Sequence, residues 1–372
     1  MKIIRVCSFF YPVEGGMETH LLEETKELAK LGHQVRVWTS DALRVGRYEK
    51  RKEEINKVVV ERLPTIAKLS YNTPFFPLVW WKALVEDYDI LHVNAFRQTH
   101  NLALVIAKLR GKKTVLGVHW PEYPKELRST IMNLIIPIFD KTLGELILYM
   151  ADKIIVQTKA EERWLINKFG KKKNVIILPP GIKKEYLKKR NSTVFRKKYK
   201  ISGPMVLYLG RIHQSKGIDR IIAIAPRCKE ATFVIVGDGP EKKRIENAIQ
   251  DKKIKNVKMI GRCSEEEKMQ AYAACDIFLH PTEYDAFGIT LVEAMAQAKP
   301  VLASHVGGIP SVVGLEGLTF NKDDEQDLLK KLKKLLSSKK LREELGNRGR
   351  KKVEKITWDK IAGQLDKIYR SL

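Results

Sequence analysis

The 372-residue chain has few cysteines, too little acid to balance its base, and no long apolar run. Its four cysteines, Cys7, Cys228, Cys263 and Cys275, are scattered without a CxxC pair. That argues against a zinc site or a disulfide framework and for a reducing cytosol. The longest apolar stretch, residues 131–139, is too short to span a bilayer. The first residues, MKIIRVCSFFYP, superficially resemble a signal peptide. Arg5 interrupts their apolar run and no small-residue cleavage site follows, so they read as a first β-strand. Neither zinc-finger spacing nor an RNA-binding aromatic pattern is present, and nucleic acid is not an expected partner. Against 69 Lys and Arg stand only 44 Asp and Glu, a formal net charge of +25. A phosphorylated substrate or an anionic membrane face would suit that charge. Basic runs at residues 171–173, 183–200 and 330–355 are spread along the chain, which equally fits a densely charged, solvated surface of thermophilic type.

A chain this long exceeds what one core supports, so two domains of roughly 150–200 residues are expected. Short β-rich runs at residues 2–8, 34–39, 89–93, 113–118, 153–157 and 175–178 are separated by helix-length segments. After Pro179-Pro180-Gly181 and a lysine-rich stretch, a second series follows at 205–209, 232–236, 256–260, 276–280 and 300–303. Alternation of this kind predicts parallel sheets with crossover helices, hence two facing α/β domains. Ligands in this class sit at the carboxyl ends of strands, where Gly15-Gly16 follows the first run. Residues 358–372 space Ile361, Leu365, Ile368, Tyr369 and Leu372 as a helix stripe. Residues 121–150, apolar and nearly uncharged around 131–139, form with Phe75, Phe76, Trp80 and Trp81 either an interfacial lipid surface or ordinary core.

Several residues carry possible chemistry. GRIHQSKG at 210–217 puts two cations, Arg211 and Lys216, on a glycine-bounded loop, suited to clamping a diphosphate. The turn at 237–240 reads as scaffold. His119 directly follows the 113–118 run and points from a carboxyl end, whereas His20 and His92 are more readily structural. The stretch PTEYDAFGITLVEAMAQAKPVLASHVGGIP at 281–310 combines a loop with Glu283 and Asp285, a helix from about Ile289, a β-like run and a Gly307-Gly308 turn. Leu291, Ala294, Met295 and Ala298 form the predicted buried stripe, which leaves Glu293 on the opposite, solvated side. The Phe287-Gly288 lead-in offers an anion the free N–H groups of a helix N-terminus, with Glu293 one turn above to hold sugar hydroxyls.

In this order the motifs resemble glycosyltransferase family 4, retaining enzymes that use nucleotide sugars and have the two-Rossmann-domain GT-B fold. The resemblance covers nearly the whole chain. It rests on Gly15-Gly16, Gly32-His33, DILHVN at 89–94, VHW at 118–120, ADKIIVQT at 151–158, GRIHQSKG, VGDGP at 236–240, DAFGITLVEAMA at 285–296 and GGIP at 307–310. It implies an acceptor-binding domain at 1–185, a donor-binding domain at 186–355, and a helix at 356–372 returning to the first. It further implies that Arg211 and Lys216 bind the diphosphate and that Glu293 holds the ribose. Asp285 would touch the donor sugar or its phosphate, and His119 would contact the sugar and stabilise the transition state. Main-chain groups of Phe287, Gly288, Ile289 and Thr290 would meet sugar and phosphate, with Gly15 and Gly16 near the phosphate and Arg262 near the base.

Three positions depart from the family. Asp285 replaces the usual Glu, Asn94 stands where many members carry a second His, and Ser311 follows GGIP where Glu is common. The expected reaction is metal-independent and cofactor-free hexosyl transfer from a nucleoside-diphosphate sugar, with GDP-mannose or a UDP-sugar as donor. The leaving phosphate would take the acceptor's proton. The expected acceptor is a lipid-linked or membrane-presented glycan. That would make the enzyme cytoplasmic, peripheral on the inner membrane face, with an anionic membrane surface among its partners. The rivals are a soluble synthase acting on a free sugar or polysaccharide, a nucleotide-sugar epimerase, and a silent sugar-nucleotide-binding protein.

Overall fold

The computed structural model describes residues 1–13, 15–70, 73–119, 129–170 and 174–372. Trp120, residues 121–128 of the apolar segment and the basic run 171–173 lie outside the described residues. The chain forms two compact units, Met1–Gly181 with Trp358–Leu372, and Ile182–Thr357. The first division falls at 181/182 instead of 185/186. Ile182 is buried, donates its N–H to the Ile356 carbonyl and packs with Tyr186 in the second unit's core.

The first unit's strands are β1 (Lys2–Cys7), β2 (Gln34–Ser40), β3 (Lys52–Ile55), β4 (Val58–Leu63), β5 (Ala67–Ser70), β6 (Thr73–Phe75), β7 (Ile90–Asn94), β8 (Lys113–Gly117), β9 (Lys153–Val156) and β10 (Val175–Ile177). Its helices are α1 (Gly16–Lys30), α2 (Leu78–Val85), α3 (Leu102–Leu109), α4 (Thr130–Phe139), α5 (Glu145–Met150) and α6 (Lys159–Phe169). One sheet runs β10-β9-β8-β7-β1-β2-β4-β3, parallel throughout except for β3 with β4. The β3–β4 hairpin and the separate β5–β6 pair precede α2 in the segment between β2 and β7, where only a helical connection was expected. Val58, Val59 and Val60 favour strand, and alternate residues of β4 are buried, which is the period-2 pattern.

The second unit contains β11 (Met205–Leu209), β12 (Thr232–Val236), β13 (Val257–Ile260), β14 (Ile277–His280), β15 (Val301–Ser304) and β16 (Leu318–Phe320). Its helices are α7 (Ser192–Lys198), α8 (Ile218–Ile224), α9 (Lys242–Asp251), α10 (Glu265–Ala274), α11 (Ile289–Ala296), α12 (Ile309–Val313), α13 (Glu325–Ser337) and α14 (Lys339–Val353). Its parallel sheet runs β13-β12-β11-β14-β15-β16. Met205 and Leu207 pack into the core on one face, Val206 and Tyr208 into that on the other. Burial on both faces is why these strands read as unbroken apolar runs.

The last helix, α15 (Trp358–Arg370), belongs to the first unit and buries Trp358, Ile361, Ala362, Leu365 and Tyr369. It packs on α1, and its Asp366 Oδ1 lies 2.8 Å from His33 Nε2. Burying side chains of this size contributes roughly 1.5–3 kcal/mol each. Among the described residues no helix is long and apolar enough to cross a membrane. Of the aromatics considered for a lipid surface, Phe76 is core, whereas Trp81 is 60% exposed. On α4, Ile136 is buried, but Ile131, Leu134, Ile135 and Ile138 are 51–67% exposed.

Candidate active site

In the second sheet the strand order reverses at β11, whose neighbours are β12 and β14. In open α/β sheets the crevice at such a switch point is the ligand site. The loops leaving β11 and β14 carry Arg211, Lys216, Asp285 and the lead into α11. The β11 loop is braced from behind: Gly210 N–H donates to the Val236 carbonyl (3.1 Å), and Ile212 N–H to that of Asp238 (2.9 Å). The 237–240 turn therefore serves as the scaffold expected of it. Tyr208 Oη donates to the Arg211 carbonyl (2.8 Å), which fixes that main chain while the Arg211 side chain stays exposed. Ser215 O accepts from Glu283 N–H and Thr282 Oγ1, both at 2.9 Å, tying the two loops together.

Lys216 Nζ lies 2.8 Å from Asp285 Oδ2. The same oxygen faces His280 Nε2 at 3.2 Å, and Oδ1 accepts from the N–H groups of Gly288 (3.1 Å) and Phe287 (3.4 Å). Burial acts to raise the Asp285 carboxyl, but Lys216 and His280 outweigh it and hold it well below the usual carboxylate range. His280 is pulled below its ordinary value by burial, against the opposing pull of Asp285. Gly307 closes the loop from the other side. Its φ is +53°, and a Cβ there would lie 2.2 Å from the Asp285 carbonyl oxygen, so only glycine fits.

Gly288, at φ +74°, precedes α11 without a capping side chain. The first N–H groups of that helix and its dipole face the same loop, with Ile289 and Thr290 half-buried. Glu293 is not on a solvated face, contrary to the helical-stripe expectation. Residues 291–296 are all buried, because α11 is packed on every side within the second unit's core. Its carboxylate accepts from Tyr272 Oη (2.7 Å) and Lys268 Nζ (3.0 Å), both on α10. Burial disfavours the Lys268 charge, yet Glu293 and Glu265 hold that ammonium charged, above its ordinary value. Ala298, included in the expected stripe, falls beyond the helix at φ +54°. Arg262, past β13, is exposed and 3.8 Å from Asp238 Oδ2, on an edge strand two positions from β11.

In the first unit the order reverses at β1, between β2 and β7. Gly15 precedes α1 with no side-chain cap, and a Cβ there would meet Glu18 Oε2 at 2.2 Å; at Gly16 the space is open. Burial raises the Glu18 carboxyl, and Arg44 at 2.7 Å offsets its charge. His119 follows β8 at φ +55°, a strained conformation for a residue with a side chain. Its ring lies between Asn94 Oδ1 (Nε2, 3.3 Å) and Gln157 Nε2 (Nδ1, 2.9 Å), with His20 edge-on at 5.3 Å. Burial first, then the neighbouring His20, lower His119 to about 3. His92 is a core residue, its Nδ1 2.6 Å from Tyr369 Oη.

The sequence reading gave no role to His280, Lys268, Tyr272 or Gln157. His280 ends β14 at its carboxyl end, and Lys268 and Tyr272 stand at i, i+4 on α10. Those, with the place of Gln157 just past β9 in the ADKIIVQT motif, are the chain-local signals they leave. Among the described residues no group of three or more His, Cys, Asp or Glu is placed to hold a metal ion.

Two family models match the chain in succession: Glycosyltransferase Family 4 over residues 14–186 and Glycosyl transferases group 1 over 190–352. An uncharacterized glycosyltransferase of Methanocaldococcus jannaschii is 27% identical, covering 100% of this chain and 99% of that protein. The gpi3 subunit of phosphatidylinositol N-acetylglucosaminyltransferase of Schizosaccharomyces pombe is 26% identical, over 99% of this chain and 80% of that one. The solved sucrose-phosphate synthase of Thermosynechococcus elongatus superposes with a TM-score of 0.78 at 22% identity, over 100% and 99% of the two chains.

Proposed function

The chain belongs to the family 4 type of glycosyltransferases with the GT-B fold, and on that premise we propose that it moves a hexose from a nucleoside-diphosphate sugar to a lipid-linked or membrane-presented glycan, with retention at the anomeric carbon. The observation that carries the reading is the switch point of the second sheet. There Lys216, the uncapped start of α11 and the buried Glu293 lie on adjoining loops and one short helix. Cations and a helix N-terminus suit a diphosphate, and a carboxylate one turn deeper suits a ribose diol.

Cleavage of the sugar–phosphate bond places negative charge on the leaving diphosphate. Arg211, Lys216 and the α11 dipole stabilise it electrostatically without a divalent metal. The departing phosphate oxygen then takes the acceptor's proton on the same face of the sugar, so no dedicated base is needed. A carboxylate has about four acceptor positions, and those of Asp285 already meet four donors. Asp285 is therefore best read as orienting Lys216 and the 287–288 main chain, a smaller role at the sugar than the family pattern implies. The shorter side chain leaves GDP-mannose and UDP-sugars both open as donors.

For the acceptor, the exposed apolar face of α4 and the basic net charge favour a membrane-presented substrate at the cytoplasmic face. The phosphatidylinositol in the fission-yeast relative's name points the same way. Thermal-shift measurements with nucleoside diphosphates and their sugars test the donor. One class should raise the melting temperature by a few degrees at about 100 times its Kd, equivalent to about 2.7 kcal/mol. GDP over UDP would identify a mannose-type donor, and no shift with any nucleotide at millimolar concentration would overturn the proposal.

A further inference from the structure

His119 takes its hydrogen bonds from two strand ends flanking its own. β8 pairs with β7 on one side and β9 on the other, with Asn94 opposite Gly117 in register. A Cβ on Gly117 would approach His119 Nε2 to 2.9 Å and Asn94 Oδ1 to 3.2 Å, so glycine there is what lets the ring and the amide meet. The Asn94 amide can face only one way. Its Nδ2 donates to the carbonyls of Val6 (3.1 Å) and His92 (3.3 Å), and its Oδ1 accepts from Arg5 Nη2 (2.9 Å). Turned over, it would set NH2 against a guanidinium and its oxygen against two carbonyls. Its oxygen therefore faces His119 Nε2, and that contact is a hydrogen bond only if Nε2 carries the proton. In the neutral ring Nδ1 is then bare, and the Gln157 amide donates to it.

We propose that Asn94 and Gln157 are positioning residues that hold His119 as its neutral Nε2–H tautomer, so that the ring stands at the site as a fixed, neutral group and not as a base. The inference rests on reading His119 as a sugar-facing residue, while the tautomer itself rests only on the contacts above. The surroundings favour the neutral ring. Arg5 from β1 lies beneath Asn94, and His20 from α1 stacks edge-on against His119. Glu24 from α1 is the opposing charge, but Arg5 engages it at 2.5 Å. His92 on β7 and Tyr369 on α15 bond each other in the core, and Glu161 on α6 is turned to the Gln157 main-chain N–H. With no proton acceptor at Nε2, His119 cannot take the acceptor's proton there, which leaves that task to the departing phosphate oxygen.

The direct test is a long-range proton–nitrogen correlation spectrum of the intact chain labelled at its histidine rings, with His119 assigned by its loss in His119→Gln. Wild type should show a neutral Nε2–H ring that does not titrate between about pH 5.5 and 8, where a free histidine would. Gln157→Glu places an acceptor at Nδ1 and should convert the ring to the doubly protonated form at neutral pH, adding a new limb to the kcat–pH profile. Gln157→Met removes the donor and should lower kcat about tenfold with donor KM changed much less, as for loss of one bond acting in the transition state. Melting curves screen the variants for folding, and the wild-type spectrum needs no variant. An Nδ1–H or charged ring in wild type would overturn the proposal, as would an unchanged tautomer and titration in folded Gln157→Glu. Nucleotide binding is scored separately, so failure of the donor assignment and failure of the tautomer assignment are distinguishable.

Discussion

Replacing Glu293 by Gln separates the structural and ligand-binding uses of one buried carboxylate. In the folded chain its Oε2 accepts from Tyr272 Oη at 2.7 Å and its Oε1 from Lys268 Nζ at 3.0 Å, with only 9% of the side chain exposed. The amide keeps the shape but turns an NH2 toward either the ammonium or the phenol. Losing charge assistance from one such bond costs roughly 1.5–3 kcal/mol, so the melting temperature should fall by about 4–10 °C. That loss alone would not show a ribose site. The acceptor capacity of the carboxylate not taken by Tyr272 and Lys268 is what is assigned to the ribose diol. Binding of the preferred nucleoside diphosphate and its 2′- and 3′-deoxy forms, measured by calorimetry on wild type and Glu293→Gln, isolates them. Wild type should lose about 10–100-fold in affinity for at least one deoxy form, and the variant should lose little further. If wild type binds the deoxy and ribo forms equally, or if the variant still discriminates between them as wild type does, Glu293 does not hold the ribose.

Arg211→Ala and Lys216→Ala should each lower turnover by about tenfold or more through loss of a charge-assisted bond of roughly 1.5–3 kcal/mol, and near-unchanged transfer in both would sink the diphosphate assignment. Stability should fall on mild acidification. His92, His100 and His119 are all held below their ordinary values, chiefly by burial, with His100 at about 4 and His119 at about 3. The unfolded chain therefore binds more protons below pH ~6.5, and each such histidine removes up to about 1.4 kcal/mol per pH unit. The depressed Asp285 adds its own loss only below about pH 4, where the unfolded carboxyl begins to protonate. Thermal melts from pH 7.5 to 5 check the histidine limb, and a flat melting temperature would contradict it. Wild type should pellet with anionic liposomes in a salt-sensitive way, and Ile131→Ser/Leu134→Ser/Ile138→Ser should weaken that binding at least tenfold, as expected when large apolar side chains leave the interface. Absence of binding by wild type would favour a soluble acceptor.

The sequence by itself determined what is local along the chain. Short unbroken apolar runs separated by helix-length segments set the two parallel sheets, and the loops at their carboxyl ends marked where Arg211, Lys216, Asp285 and His119 would stand. It missed the strands between β2 and β7, where a valine-rich hairpin and a second strand pair come before the helix α2. Tertiary structure decided what each polar group is bonded to. Glu293 looked solvated because a helix read alone shows one buried stripe, yet its partners Lys268 and Tyr272 arrive from a different helix, 25 and 21 residues away. The Asp285 carboxylate is filled by Lys216, 69 residues earlier, and the His119 tautomer is set by Asn94 and Gln157 on two neighbouring strand ends. The physical reason is that parallel strands become neighbours only through crossovers. The side chains that tune a carboxylate or an imidazole therefore meet across the sheet, where no sequence period records them.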